Sequence, residues 1–302
     1  MKELIDITRM WEARPGEQFA LATLVRAEGS SYRRPGARML IASDGTTVGS
    51  LSGGCLEEEV AQRGLEVLQS GIPSLMEFDT RRRFGCSGQI EILVERIANE
   101  FLAELTTAMR DRRICRAVTE IGTGSRMLRA DERVLEGAFL QTIQPLIQLI
   151  IFGEGPDSRP LRVLADMLGW SLIEAEHAAD LPTTADARTA AVIKSHNYGR
   201  DCAALRQLLQ FRLRYVGLLG PRRRRDEILG DLLDSGVPVS AELFAPAGLD
   251  LGAETPEEIA LAIVAEIQNV FAEASGESLR DRKVPIHGWN TAASPVLTSS
   301  HD

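Results

Sequence analysis

Leu146-Ile147-Gln148-Leu149-Ile150-Ile151-Phe152 runs directly into Gly153-Glu154-Gly155-Pro156-Asp157-Ser158, and this junction decides the fold. A near-continuous apolar run suits a parallel strand covered on both faces. The G-x-G behind it allows a tight turn and a close backbone approach to a ligand above a helix N-terminus. Downstream the pattern alternates: helix 159–168, strands Ser171–Ala175 and Ala190–Lys194, helix 201–211, strand Tyr215–Leu219, helix 223–234. Strands and helices alternating at these lengths predict a Rossmann-like, doubly wound parallel sheet over 145–275. Its last helix, 256–275, is announced by Thr255-Pro256-Glu257-Glu258. Thr255 suits the N-cap, Pro256 the first helical position, and Glu258 completes a capping box.

Upstream the rhythm differs. Helix 2–13 precedes strands Phe19–Arg26, Arg38–Ala42 and Thr47–Leu51, helix 56–69 closed by Gly71, and strands Ser74–Phe78 and Ile90–Val94. Helix 99–111 then leads to three short strands, Ile114–Ile121, Arg126–Leu128 and Phe139–Ile143, read as a small antiparallel unit. The fold class is therefore α/β: an α+β domain over 1–144, the Rossmann-like domain, and a loose tail over 276–302.

Composition narrows the function. Of 302 residues, 44 % are hydrophobic and 25 % charged, ordinary values for a globular protein. The net charge of -9, from 34 basic and 43 acidic residues, opposes nucleic acid as a partner. No apolar leader opens the chain, and no run approaches the roughly 20 residues of a membrane span, so a cytoplasmic, membrane-free protein is expected. The four cysteines, Cys55, Cys86, Cys115 and Cys202, form no C-x-x-C pair and thus no zinc signature.

Five places could carry chemistry. At Gly153-Glu154-Gly155 a nucleotide would find its turn, with Glu174 or Glu176 placed to meet a ribose. However, Ser158 replaces the third glycine and Pro156 removes an N–H that a pyrophosphate would use. Ser52-Gly53-Gly54-Cys55 enters a helix. Its N–H groups suit an anion and its dipole favours a thiolate, unless it is a plain connector with a packed Cys55. Gly85-Cys86-Ser87-Gly88 leaves a thiol accessible or is a simple turn. Two glycine-flanked cysteines together favour a soft metal or sulfur role. Cys115 and Cys202 read as core residues. Ser195-His196-Asn197 and Gly220-Pro221-Arg222-Arg223-Arg224-Arg225 lie at strand ends, where doubly wound sheets gather ligands. His196 is either a ligand or a structural histidine. Of the four arginines, one or two at most can face a ligand.

Glu28-Gly29-Ser30-Ser31-Tyr32-Arg33-Arg34-Pro35-Gly36-Ala37-Arg38-Met39, with Asp44-Gly45 and Gly49-Ser50 through Glu57, resembles the N-terminal domain of the xanthine dehydrogenase accessory factor (XdhC/CoxI) family. Residues 85–88 look like that family's second Gly-Cys loop. The G-E-G at 153–155, Ser195-His196-Asn197, Tyr215 through Arg224 and Gly248 through Ala260 are similar to its Rossmann-like domain. One departure is Pro156, where many members carry His.

The resemblance implies a chaperone that binds molybdopterin, the molybdenum cofactor, as cargo. It would shelter the cofactor during sulfuration and deliver it to a molybdenum hydroxylase of the xanthine or aldehyde oxidoreductase class, without turnover of its own. A cysteine desulfurase and a second copy of the chain, in a homodimer, are further expected partners. The cofactor-binding set is Gly53, Gly54, Cys55, Cys86, Gly153, Gly155, His196, Gly220 and Arg222, with Cys86 as the molybdenum or sulfur contact. Two other readings compete: an NAD(P)-dependent oxidoreductase built on the Rossmann-like half, and a protein-binding scaffold without a small ligand.

Overall fold

The computed structural model describes residues 2–29, 31–54, 56–79, 88–130, 132–237 and 243–282. They divide into two units. One is Met1–Pro145 with the described residues from Leu279 onward, and the other is Leu146–Ser278.

In the first unit, helix α1 (Lys2–Ala13) precedes β1 (Phe19–Gly29), β2 (Arg38–Ala42), β3 (Thr47–Gly49), α2 (Glu57–Ser70), β4 (Ser74–Asp79) and β5 (Gly88–Arg96). The strands form an antiparallel sheet in the order β3-β2-β1-β5-β4. Strands β1 and β2 are apolar on both faces because both are covered. Ala20, Ala22, Leu24, Met39 and Ile41 pack with Val60 and Val67 of α2. On the other face, Phe19, Leu21 and Leu40 meet Leu4 and Ile7 of α1, together with Phe101 and Leu105 of α3 (Asn99–Arg110). The predicted antiparallel unit follows as β6 (Cys115–Glu120), β7 (Gly124–Met127) and β8 (Phe139–Ile143), in the order β7-β6-β8. Gly71 ends α2 in the left-handed conformation, at φ +72°.

In the second unit, β9 (Gln148–Phe152), α4 (Ser158–Met167), β10 (Ser171–Ala175), β11 (Thr189–Ile193), α5 (Tyr198–Leu208), β12 (Tyr215–Leu218), α6 (Arg222–Asp234), β13 (Leu243–Phe244) and α7 (Pro256–Ala272) alternate as expected. The sheet is parallel throughout, ordered β10-β9-β11-β12-β13. Leu149, Ile151, Ala190 and Val192 face Leu161 of α4 and Ile263 of α7. Ile150, Phe152, Ala191 and Ile193 face Leu205 of α5 and Ile228 of α6. This two-sided burial explains why the strands read as unbroken apolar runs.

Three details depart from the sequence reading. Strand β13 has no counterpart in it, because two residues are too short to show a period. Helix α5 starts three residues earlier than expected, because the Asn197 side chain caps it by accepting the Arg200 N–H at 3.1 Å. The last helix stops at Ala272, with Glu273 left-handed at φ +52°. Its start is as read, with Thr255 and Glu258 closing a capping box behind Pro256.

Candidate functional site

In the first unit, β3 delivers the chain into Ser50-Leu51-Ser52-Gly53-Gly54, and buried Leu51 and Leu56 anchor the turn. Gly53 and Gly54 are both exposed, and Gly54 has φ +108°, a region that side chains avoid. The expected anion site has an internal occupant. The Glu57 carboxylate, in the first turn of α2, reaches back into the loop. Its Oε1 accepts the N–H groups of Leu51 and Ser52, at 3.1 and 2.8 Å, and the Ser50 hydroxyl at 3.1 Å. Its Oε2 accepts the Ser52 hydroxyl at 2.6 Å and the Leu56 N–H at 3.2 Å. Burial works to raise its pKa, but the Ser52 hydroxyl and the surrounding N–H donors outweigh it and bring it down to about 2. Cys55 and Cys86 lie outside the described residues.

Glu57 also makes a prediction. A carboxyl depressed from 4.5 to about 2 stabilises the fold above its unfolded pKa, and that contribution disappears as pH falls through the folded value. Glu57→Gln is expected to destabilise the first unit by about 2 kcal/mol at pH 7, allowing for solvent screening. The gap from wild type should narrow between pH 4.5 and 2. Urea unfolding of both proteins across that range checks it; a gap independent of pH would mean that the loop does not hold the carboxylate.

In the second unit, the expected residues converge at the C-terminal edge of the sheet. Ile193 lies opposite Phe152 on one side and Leu218 on the other, so Gly153, Lys194 and Leu219 leave the sheet together. Strand order reverses between β9 and β11, the position where doubly wound sheets bind ligands. Gly153, at φ +101°, passes so close to Ser195 that a Cβ would lie 2.5 Å from its Cα. Ser195 donates its N–H (3.3 Å) and its hydroxyl to Asp201 Oδ1, and Asp201 Oδ2 accepts from Arg224 at 2.5 Å. His196 is exposed, with a left-handed φ of +54°.

Gly220, at φ +142°, turns the chain toward α6. Three of the four arginines there are engaged: Arg223 with Glu227, Arg224 with Asp201, and Arg225 with Asp226 and the Ala245 carbonyl. Arg222 is exposed and has no side-chain partner among the described residues.

Beside Gly153 and Gly155 opens a crevice of about 300 Å³, lined also by Glu154, Arg162, Glu174 and Glu176. Glu174 faces Arg162 at 3.4 Å. A hydrogen bond and like charge from Glu154 push the Glu176 carboxyl up. Glu174 and Glu176 lie at the end of the second parallel strand, where an acidic residue meets a ribose, but Pro156 offers no N–H and Ser158 replaces the third glycine, so the turn itself suits a pyrophosphate poorly.

Sequence reading left several polar residues of these sites unassigned. Lys194 is fully buried and pairs with Asp157 at 3.2 Å beneath the Gly155 turn. Its signal was available, since Lys2, Lys194 and Lys283 are the only lysines in an arginine-rich chain. Asp201 and Arg224 gave no comparable signal, because only the fold brings them together. Cys115 and Cys202 are half-buried free thiols packed against apolar clusters, and burial pushes both thiols up. No group of three or more metal-binding side chains occurs among the described residues. A larger groove of about 800 Å³, between α3 and the three-stranded sheet, is lined by none of the expected site residues.

Residues 149–267 match the family model described as the XdhC Rossmann domain, and residues 12–79 match that of the XdhC and CoxI family. A Bacillus subtilis (strain 168) protein named as a probable xanthine dehydrogenase subunit is 30 % identical over 310 residues, spanning 83 % of this chain and 92 % of its own. The chain belongs to the XdhC and CoxI family. Another relative is the Escherichia coli (strain K12) protein named molybdenum cofactor insertion chaperone PaoD, 26 % identical across 84 % of either chain. A crystal structure described as a xanthine dehydrogenase from Bacillus halodurans superposes with a TM-score of 0.76 at 26 % identity, covering 94 % of this chain and 98 % of that one. Among the described residues of this XdhC and CoxI family member, no helix is long and apolar enough to cross a membrane.

Proposed function

We propose that this protein is an accessory factor for molybdenum enzymes: it binds molybdopterin as cargo, shelters it during sulfuration and hands it to a hydroxylase of the xanthine or aldehyde oxidoreductase class. The observation that carries the reading is similarity, across 84 % of either chain, to a protein named as a molybdenum cofactor insertion chaperone. Pro156 and Ser158 in the turn after the first parallel strand support it indirectly, by disfavouring an NAD(P)-dependent oxidoreductase. In this reading the candidate cargo-binding residues are Gly53, Gly54, Cys55 and Cys86 in the first unit and Gly153, Gly155, His196, Gly220 and Arg222 in the second. A cysteine desulfurase supplies sulfur, and the protein acts in the cytoplasm as a homodimer.

Cys86 is assigned the contact to the metal–sulfur centre, since a thiolate suits a soft metal. The test is purification from cells with the cofactor pathway intact, followed by molybdenum and pterin analysis. Wild type should carry both, and Cys86→Ser, which keeps the size but loses the soft donor, should carry neither. Equal loading of the variant removes Cys86 from the site, and an empty wild-type protein overturns the cargo reading.

A further inference from the structure

We propose that Tyr32 and the Gly53–Gly54 backbone form a stacking platform for the flat pterin ring of the cargo, leaving its phosphate to be held elsewhere. This rests on the molybdopterin reading above and adds the orientation of the ligand and a residue that recognises it.

Tyr32 is 67 % exposed, in a chain that buries most of its large apolar side chains. Its base is fixed. The Ser31 hydroxyl donates to the Arg33 carbonyl at 2.7 Å, and the Arg33 guanidinium pairs with Glu3 at 2.6 Å. The ring therefore stands on an ordered turn while remaining open to solvent. Three of its carbons, Cδ2, Cε2 and Cζ, lie 3.9–4.0 Å from the point that a Cβ on Gly53 would occupy. Nothing lies within 4 Å of the corresponding point on Gly54. Ring and bare backbone thus adjoin one another, and the missing side chains let a flat ligand come into van der Waals contact with both.

The polarity of the turn selects which end of the cargo docks there. The N–H groups of Leu51, Ser52 and Leu56 would be the phosphate donors, but they already bond to the Glu57 carboxylate. An incoming phosphate would meet a fixed negative charge and no free donor at these positions. A planar heterocycle would meet an aromatic face, the contact by which proteins hold single nucleobases.

The experiment uses the full chain and free pterin, which lacks a phosphate, followed by fluorescence quenching. Tyr32→Ala should bind pterin about tenfold more weakly, the scale of losing one stacking partner. Tyr32→Phe and Tyr32→Trp should bind as wild type does, and all three variants should melt with wild type because the ring is exposed. Inorganic phosphate should leave pterin binding unchanged. Wild-type affinity in Tyr32→Ala, or displacement of pterin by phosphate, overturns the platform. If wild type binds pterin and yet purifies without molybdopterin from pathway-competent cells, the platform stands and the cargo reading fails.

Discussion

Gly153→Ala is expected to destabilise the parallel-sheet unit by at least about 3 kcal/mol, a cost well beyond that of an ordinary glycine replacement. Two effects combine at this position. The backbone sits at φ +101°, where an L side chain is strained whatever space it has. The added Cβ would also lie 2.5 Å from Ser195 Cα and 2.6 Å from its nitrogen, and neither is the movable end of a side chain. To admit the methyl group, the β9 and β11 loops must separate. That would disturb the Ser195–Asp201 bonds behind them.

Gly236→Ala in the same unit is the control. Gly236 has φ +73° and nothing within 4 Å of the Cβ position, so it reports backbone strain alone, about 1 kcal/mol. Chemical denaturation of the two variants isolates the close approach. Equal losses would mean that the two loops do not touch as described.

The residues that made the fold legible are those whose pattern is local. Leu146 to Phe152 announced a doubly covered strand, and Thr255 with Glu258 announced a helix start to the residue. Such signals follow from the burial of both faces of a strand and from the orphan N–H groups of a first helical turn. Gly153 and Gly220 were legible for a related reason, since turns at strand ends require positive φ. What the sequence hid is pairing across distance. Glu57 reads as the start of a helix, yet its carboxylate fills the site that the preceding glycines offer to an anion. Arg224 read as one of four equivalent charges until its partner, 23 positions away, was in place. Tyr32 carries no sequence signal beyond family likeness, and its place as an exposed ring beside Gly53 emerges only in the fold. Charges and aromatics have no period when their partners lie on other elements, so sequence spacing carries no trace of them.

Asp201 carries the second large effect. It is fully buried, at 0 % exposure, in the first turn of α5, where the helix dipole favours a negative charge. Its carboxylate accepts the Ser195 N–H and hydroxyl on one oxygen and the Arg224 guanidinium on the other. Asp201→Ala leaves the Arg224 guanidinium, whose side chain is only 19 % exposed, without its counter-charge, and removes the acceptor that fixes the 195–197 turn. The expected loss is about 3 kcal/mol, the lower end of the range for breaking one side of a buried pair, because Arg224 retains partial access to water. Asp201→Asn should lose less, since it keeps an acceptor toward Ser195 while giving up the charge. The decisive measurement is the double variant Asp201→Ala with Arg224→Met. If the penalty lies in the stranded cation, replacing it with an apolar side chain of similar length should recover at least about 1 kcal/mol relative to the sum of the single variants. Strict additivity in urea unfolding would mean that Arg224 does not depend on Asp201. The line from Gly153 through Ser195 to α6 would then not be one connected support for the ligand edge of the sheet.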